Sequence, residues 1–262
     1  MIDNKPIEVE LASKLVTLVL NKYGLLDPAG IGLSYEANKP GWNDAMNGLP
    51  GLFGSGVSEM FELKKLNHFL VDAFEKANDH TIEVLTPLLD LIALYQKLEG
   101  DGYALWDQRV TALENYRKAL LNPLSLSKVS SKAVLTVLKK IELDLNEANQ
   151  KAMALDDIFP TYLTFEATKF EQVLDNNAPV IGHYGLPLVK VLAFEMAKIP
   201  PFLEAPARFL KQTNDKVYAK KLYTAIKQSE LYDKKQKFYQ TSVSLDAFSN
   251  EIGRIRAFTK GW

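Results

Sequence analysis

The sequence predicts a mainly α-helical fold, and three observations support this prediction. Apolar residues recur at steps of three and four over most of the 262 residues, as on the buried face of a helix. Apolar residue types make up 47% of the chain, which allows a sizeable core. Half of the 14 glycines fall in residues 29–56, so helix-breaking backbone is concentrated in one segment. We treat residues 1–262 as one domain, although the length also allows two small ones.

The first part of the chain predicts a series of helices. Residues 7–23 form the first, which is expected to end at Gly24 and the Asp27-Pro28 pair. Residues 57–74 carry a wide apolar face, and either Ser55 or Ser58 could cap that helix. Three further helical patterns run through 82–92, 106–120 and 134–152, the last with the spacing of a seam between long helices. We therefore predict residues 79–153 to be a helical-hairpin insertion, and we favour a solvated surface over a partner-binding role there.

The pattern changes after Pro160. The stretch TYLTFEATKFE, 161–171, alternates aromatic and threonine residues with other types, which is typical of a strand. Residues 187–201 fit either a strand or a short helix. Helical spacing returns at 203–211, 215–228 and 252–258. We therefore expect a few short strands within a mainly helical chain.

Composition argues against several classes of function. The 31 basic and 32 acidic residues nearly cancel, which gives no support to a nucleic acid or a membrane surface as partner. The chain has no cysteine, so disulfides and cysteine-bound zinc are excluded and a cytoplasmic location fits. No apolar run approaches the roughly 20 residues that span a bilayer. His68, His80 and His183 share no ligand spacing, so we predict neither a metal site nor a histidine-dependent triad.

The most unusual stretch is LSYEANKPGWNDAMNGLPGLFGSG, residues 33–56. It lacks the Gly-Lys-Ser/Thr of a P-loop and the glycine spacing of a dinucleotide fingerprint. One interpretation is a buried connection that is held by Trp42. The other is a sugar site, because tryptophan stacks on sugar rings, Asn43 can bond to hydroxyls, and an apolar setting can make Asp44 a general acid. The residues alone leave both interpretations open.

A family resemblance favours the second interpretation. KPGWNDAMNGLPGLFGS, 39–55, resembles the Trp-Asn-Asp catalytic loop of bacterial cellobiose-phosphorylase-like enzymes, which are inverting phosphorylases and hydrolases of the six-hairpin glycosidase superfamily. VSEMFELKKL after the loop, FLEAPARFLK at 202–211, SELYDKKQKFYQTSVSL at 229–245 and EIGRIRAFTKGW at the end are also similar to that group. The resemblance implies a partial (α/α)6 toroid, and it is thin over residues 79–153.

The resemblance also implies roles for residues of the loop. Asp44 would be the general acid that protonates the glycosidic oxygen, with Trp42 and Asn43 in the sugar subsite. Glu36 and Asn47 are further substrate-binding candidates, and a structural role for Glu36 fits equally well. A phosphorylase needs no second carboxylate, because inorganic phosphate attacks the anomeric carbon. A hydrolase needs a carboxylate base, for which Glu166 and Glu171 are candidates, although a solvated strand face explains them as well.

The sequence departs from this family in three respects. Gly41 stands where the loop commonly has another aspartate. The chain ends, after Gly261-Trp262, before a family segment that carries a glutamate and a histidine near the phosphate or sugar. It also has too few helical patterns for a complete toroid. We therefore expect a fragment, natural or from gene prediction, which need not be active alone.

The sequence-based hypothesis is thus a carbohydrate-active enzyme fragment. It would cleave a β-glucoside-type disaccharide or oligosaccharide with inversion, by phosphorolysis or hydrolysis. The alternative is a non-catalytic helical protein that binds carbohydrate or acts as a scaffold. No cofactor is predicted beyond inorganic phosphate as a co-substrate, and a homo-oligomer is left open.

Overall fold

A computed structural model describes residues 7–35, 54–77, 79–182 and 185–244. About 49% of these residues are helical and about 23% lie in strands, which form four small antiparallel sheets. The prediction of a mainly α-helical, partial (α/α)6 toroid is therefore wrong. The reason is that several segments form paired strands where the toroid interpretation expected helices or only a few short strands, among them Thr81–Leu85, Tyr162–Gln172 and Val189–Lys198.

The described residues form seven helices. They are α1 (Leu11–Tyr23), α2 (Val57–Lys76), α3 (Pro87–Gln96), α4 (Gly102–Ala119), α5 (Ser131–Ala154), α6 (Glu204–Gln212) and α7 (Lys216–Gln228). The helix predicted at 7–23 is confirmed from Leu11 onward, and α1 ends at Gly24 as expected. The helices predicted at 57–74, 106–120, 134–152, 203–211 and 215–228 are confirmed, whereas the one predicted at 252–258 lies outside the described residues. None of the helices in the described ranges is both long and apolar enough to cross a membrane.

Helices α2 and α5 pack against each other in the centre of the core. The predicted seam of α5 is confirmed, because these of its side chains are fully buried: Val134, Leu138, Ile141, Leu145, Ala148 and Ala152. Asn67 of α2 is also buried, and its amide donates to the carbonyl of Leu138 across 3.0 Å. This bond fixes the register of the two helices, since an unpaired buried amide would be costly.

The largest sheet has four antiparallel strands in the order β1 (Leu33–Ser34), β2 (Gly54–Gly56), β5 (Tyr162–Gln172) and β8 (Val189–Lys198). The strand predicted at 161–171 is confirmed, and the ambiguous segment 187–201 is largely strand. Only the first part of β5 is buried, and it lies beside β2. The sheet therefore joins the core at this end, while β5 and β8 continue away as a two-stranded ribbon.

Three two-stranded pairings complete the fold. β3 (Thr81–Leu85) pairs with β4 (Leu126–Ser130), β6 (Leu174–Asp175) with β7 (Ala178–Pro179), and β9 (Tyr232–Asp233) with β10 (Phe238–Tyr239). The helix predicted from Ile82 is wrong over its first part, because Ile82 and Val84 alternate with exposed neighbours as a strand requires. Residues 79–153 thus contain strands as well as helices, and their assignment as an insertion stays a prediction.

Candidate active site

The sequence-predicted site residues Trp42, Asn43, Asp44, Glu36 and Asn47 lie outside the described residues. Their roles therefore stay predictions. What the structure does give is the frame around residues 36–53 and the side chains that meet there.

The two residues that flank this segment are hydrogen-bonded neighbours. Leu33 and Ser34 pair with Gly56 and Ser55, and the backbone N–H of Tyr35 donates to the carbonyl of Gly54 across 3.0 Å. The chain thus leaves and re-enters the sheet at one place, residues 33–35 and 54–56, which we call the neck. Because the entropy cost of closing a loop grows slowly with loop length, closing this long segment costs little more than closing a short one.

A buried carboxylate fastens this neck. Asp27 is fully buried and accepts bonds from the backbone N–H of Ile31 (2.9 Å) and Gly32 (2.7 Å) and from the Ser55 hydroxyl (2.6 Å). Burial raises the pKa of Asp27, and these three bonds oppose that rise. Ser55 is therefore not the predicted helix cap, since its hydroxyl links β2 to the loop before β1.

Glu59 lies in the first turn of α2, the helix that directly follows β2 in the chain. The hydroxyl of Tyr35 donates to Glu59 Oε1 across 2.7 Å. Glu59 Oε2 is buried and has no hydrogen-bond partner among the described residues. Burial raises the pKa of Glu59, the bonds from Tyr35 and from the backbone N–H of Glu59 itself oppose the rise, and the charge of Glu204 adds to it. This carboxyl group therefore resists ionisation more than an ordinary glutamate.

Gly56 allows this close approach. A Cβ atom at residue 56 would lie 2.0 Å from Glu59 Oε2 and 2.2 Å from the Tyr35 hydroxyl. Gly56 is also the N-cap residue of α2, and no side chain caps this helix. The predicted cap Ser58 instead lies within the helix, 2% exposed, and its hydroxyl has no partner in the described part of the chain.

A second carboxylate, Glu204, lies at the start of α6. Its Oε2 accepts from the Tyr162 hydroxyl (3.2 Å) and its Oε1 from Arg208 Nη2 (3.3 Å). Arg208 Nη1 also donates to Glu62 across 2.9 Å. The guanidinium group thus compensates the negative charge of two glutamates, and the bonds to Glu204 orient its carboxylate.

These groups border one cavity of about 260 Å³ between α1, β1, α2 and α6. Its charged lining residues are Lys22, Glu59, Glu62, Glu204 and Arg208, and its apolar lining is leucine. The cavity therefore combines carboxylates, cations and an apolar wall next to the ends of the glycine-rich segment. Such a combination can hold a small polar ligand and move a proton.

The candidate bases Glu166 and Glu171 do not lie at this cavity. Both are exposed on β5, where they face Glu195 and Lys190 of β8 across the ladder. A solvated strand face therefore accounts for them. Within the described residues, no group of three or more histidine, cysteine, aspartate or glutamate side chains could hold a metal ion.

Sequence reasoning missed Tyr35, Glu59, Glu204 and Arg208. One signal was present, because Glu59 is the third residue after Gly56, a position where glutamate often closes a helix N-terminus. Nothing in the sequence links Glu59 to Glu204, since only the packing of α2 against α6 brings them together.

Comparison with known proteins adds no family assignment, because no family model matches the sequence and a search of curated proteins finds no match.

Proposed function

We propose that this chain is a cytoplasmic carbohydrate-active protein that acts on a β-glucoside-type disaccharide or oligosaccharide. Its reaction is inverting cleavage, with Asp44 as the general acid and Trp42 and Asn43 in the sugar subsite. The observation that carries this proposal is the closed neck, since Tyr35 and Gly54 hold both ends of the Trp-Asn-Asp segment beside a cavity with carboxylates.

The described side chains suit a sugar ligand. Sugars are bound through hydroxyl groups, for which carboxylates are strong acceptors and arginine and lysine are donors. Glu59 has a buried oxygen without a partner among the described residues, and Ser58 has a hydroxyl in the same state. We assign Glu59 as a ligand of a sugar hydroxyl, because the residue lines the cavity and its carboxyl group can accept a hydrogen bond from a hydroxyl.

The acceptor of the cleaved sugar is water or inorganic phosphate. Hydrolysis with inversion needs a carboxylate base opposite the acid. Among the described carboxylates we assign that role to Glu204, since Arg208 compensates its charge and Tyr162 orients it. Phosphorolysis needs no such base. Among the described residues, two cations line the cavity: Arg208 forms ion pairs with Glu62 and Glu204, and Lys22 is not paired with either of these two glutamates.

The experiment is a product assay with β-linked disaccharides, with and without inorganic phosphate. We expect release of glucose 1-phosphate or of free glucose, and its loss in Asp44→Asn. Asp90→Asn is the matched control, because Asp90 is an exposed residue of α3. Phosphate-dependent release assigns a phosphorylase, and phosphate-independent release assigns a hydrolase.

A second candidate function is carbohydrate binding without catalysis. It is favoured by two hydrogen bonds, from Tyr35 to Glu59 and from Tyr162 to Glu204. Both bonds would also be useful in a neck with a purely structural role. Calorimetry with the same disaccharides separates the two: binding without turnover supports the second candidate, and neither binding nor turnover overturns both.

A further inference from the structure

The ribbon of β5 and β8 is the part of the described structure with the most exposed apolar surface. We define the arm as residues 166–182 and 185–198. Its large exposed apolar side chains are Phe170, Val173, Leu174, Ile181, Leu186, Leu188 and Val189, with exposed fractions from 36% to 68%. Clusters of this kind on a protein surface mark interaction sites.

Among the described residues, an aromatic cluster anchors the arm near its base. Phe194 of β8 packs edge-on against Trp106 of α4, with ring centroids 5.4 Å apart, and the Tyr103 hydroxyl donates to the carbonyl of Val191. Phe165 of β5 also contacts Phe194, at 6.4 Å between centroids. Beyond this aromatic cluster the arm is a two-stranded antiparallel ribbon, an arrangement that is only marginally stable in water by itself.

Within the described ranges, one edge of β5 has no paired strand along the arm. β2 pairs with β5 only from Tyr162 to Thr164, and no described residue pairs with this edge of β5 from Phe165 onward. An open edge presents a row of backbone donors and acceptors that another strand can satisfy. A partner for this edge must therefore supply a β-strand and must also cover Phe170.

The side chains of this edge are complementary to themselves. Lys169, Phe170 and Glu171 follow one another in β5, and the pairing of β5 with β8 is irregular on the N-terminal side of Phe170, between residues 167 and 170. If a second β5 runs antiparallel with Phe170 opposite Phe170, Lys169 of each copy lies opposite Glu171 of the other. Residues directly opposite in an antiparallel pair are close enough for their charges to interact. The two aromatic rings meet on the other face, because neighbouring side chains point to opposite faces.

The charge of the arm argues for this partner over others. Its described residues include four carboxylates and three lysines: Glu166, Glu171, Asp175, Glu195, Lys169, Lys190 and Lys198. A nearly neutral surface has little attraction for nucleic acid or for an anionic membrane. A second copy matches the mixed charges of this edge and covers Phe170.

We propose that the chain forms a twofold-symmetric dimer by antiparallel pairing of the β5 edges about Phe170. The interface is isologous, so each copy uses the same residues. This dimer does not depend on the proposed sugar chemistry.

Sedimentation equilibrium of charge variants tests this dimer. Lys169→Glu places glutamate opposite Glu171 in both halves of the interface. The second variant, Glu171→Lys with Lys190→Glu, places lysine opposite Lys169 and keeps a charge pair between β5 and β8, where residues 171 and 190 face each other. We expect each variant alone to dimerise about tenfold or more weakly than the unaltered chain.

Mixing the two variants gives the decisive result. The Lys169→Glu side chain of one chain then faces the Glu171→Lys side chain of the other, and in the second half of the interface Glu171 faces Lys169. A heterodimer therefore forms with near-normal affinity. Lys132→Glu is the control for a charge change on the exposed surface of α5 and leaves dimerisation unchanged. Circular dichroism checks that each variant is folded.

Three results would overturn the proposal. They are an unaltered chain that stays monomeric, variants that dimerise as well as the unaltered chain, and a mixture of the two variants that forms no heterodimer. Phe170→Ser gives an independent test, because loss of the central ring should also weaken the dimer while leaving the charges in place.

Discussion

The Tyr35 hydroxyl donates to Glu59 across 2.7 Å and joins the residue before the glycine-rich segment to the first turn of α2. Glu59 is held in apolar surroundings that raise its pKa, and Tyr35 is the donor that the structure gives for its Oε1. This bond therefore couples the neck of the segment to the cavity in which we place the sugar.

Tyr35→Phe should destabilise the chain by about 1–3 kcal/mol, because a buried carboxyl group loses its hydrogen-bond donor while nothing replaces it. Urea unfolding at neutral pH measures this loss. The matched control is Tyr223→Phe, which removes the hydroxyl that accepts from Tyr239 at an exposed site. There we expect a change of about 0.5 kcal/mol or less. Equal losses in the two variants would contradict the account of the neck.

The pH dependence of stability should carry a contribution from Glu59. Its folded pKa lies above the ordinary value of about 4.3. Between the two pKa values the folded chain keeps a proton that the unfolded chain has lost, so the free energy of unfolding falls as pH rises. Glu59→Gln cannot titrate. Its free energy of unfolding relative to the unaltered chain should therefore rise with pH above the ordinary carboxyl range and level off once the pH exceeds the folded pKa of Glu59.

The control for this measurement is Glu75→Gln, which should show the opposite slope. The bond from Lys139 lowers the pKa of the exposed Glu75, so its contribution is present above the ordinary carboxyl range and is lost as the pH falls through the folded pKa. If the two variants gave slopes of the same sign, the assignment of Glu59 as a carboxyl group with a raised pKa would be wrong.

Asp27→Ala should cost about 3 kcal/mol of stability, because it leaves two backbone N–H groups and the Ser55 hydroxyl without their acceptor inside the protein. Asp233→Ala is the comparison. Asp233 also accepts from two backbone N–H groups, those of Lys235 and Gln236, but water can replace these exposed bonds. We expect a loss of about 1 kcal/mol there. A loss for Asp27→Ala no larger than that for Asp233→Ala would argue against a buried fastening of the neck.

Local patterns predicted the long helices well. The apolar steps of α5 and the wide apolar face of α2 are regular over many residues, and both helices are present. The threonine and aromatic content of 161–171 likewise identified β5. These signals are local, so neighbouring residues suffice to read them.

Long-range pairing explains what sequence reasoning did not predict. Ile82 and Val84 combine with the leucines that follow into a spacing that imitates a helix, yet they pair with β4, which follows two intervening helices in the chain. The same holds for the site. Glu59 and Glu204 approach each other only because α2 packs on α6, and Asp27 meets Ser55 across the neck of the segment. The proposed roles of Trp42, Asn43 and Asp44 come from the chemistry of these residue types and from the family resemblance, because the three residues lie outside the described ranges.

The central claim is that the glycine-rich segment and the cavity at Glu59 form one sugar site. A double-mutant cycle in cellobiose binding, measured by calorimetry, tests it most directly. The four proteins are the unaltered chain, Asp44→Asn, Glu59→Gln and the double variant, with Asp90→Asn as control. We predict measurable binding by the unaltered chain, weaker binding in each single variant, and a coupling free energy of about 1 kcal/mol or more between the two residues. Absence of binding by the unaltered chain, or strictly additive effects of the two substitutions, would contradict the claim.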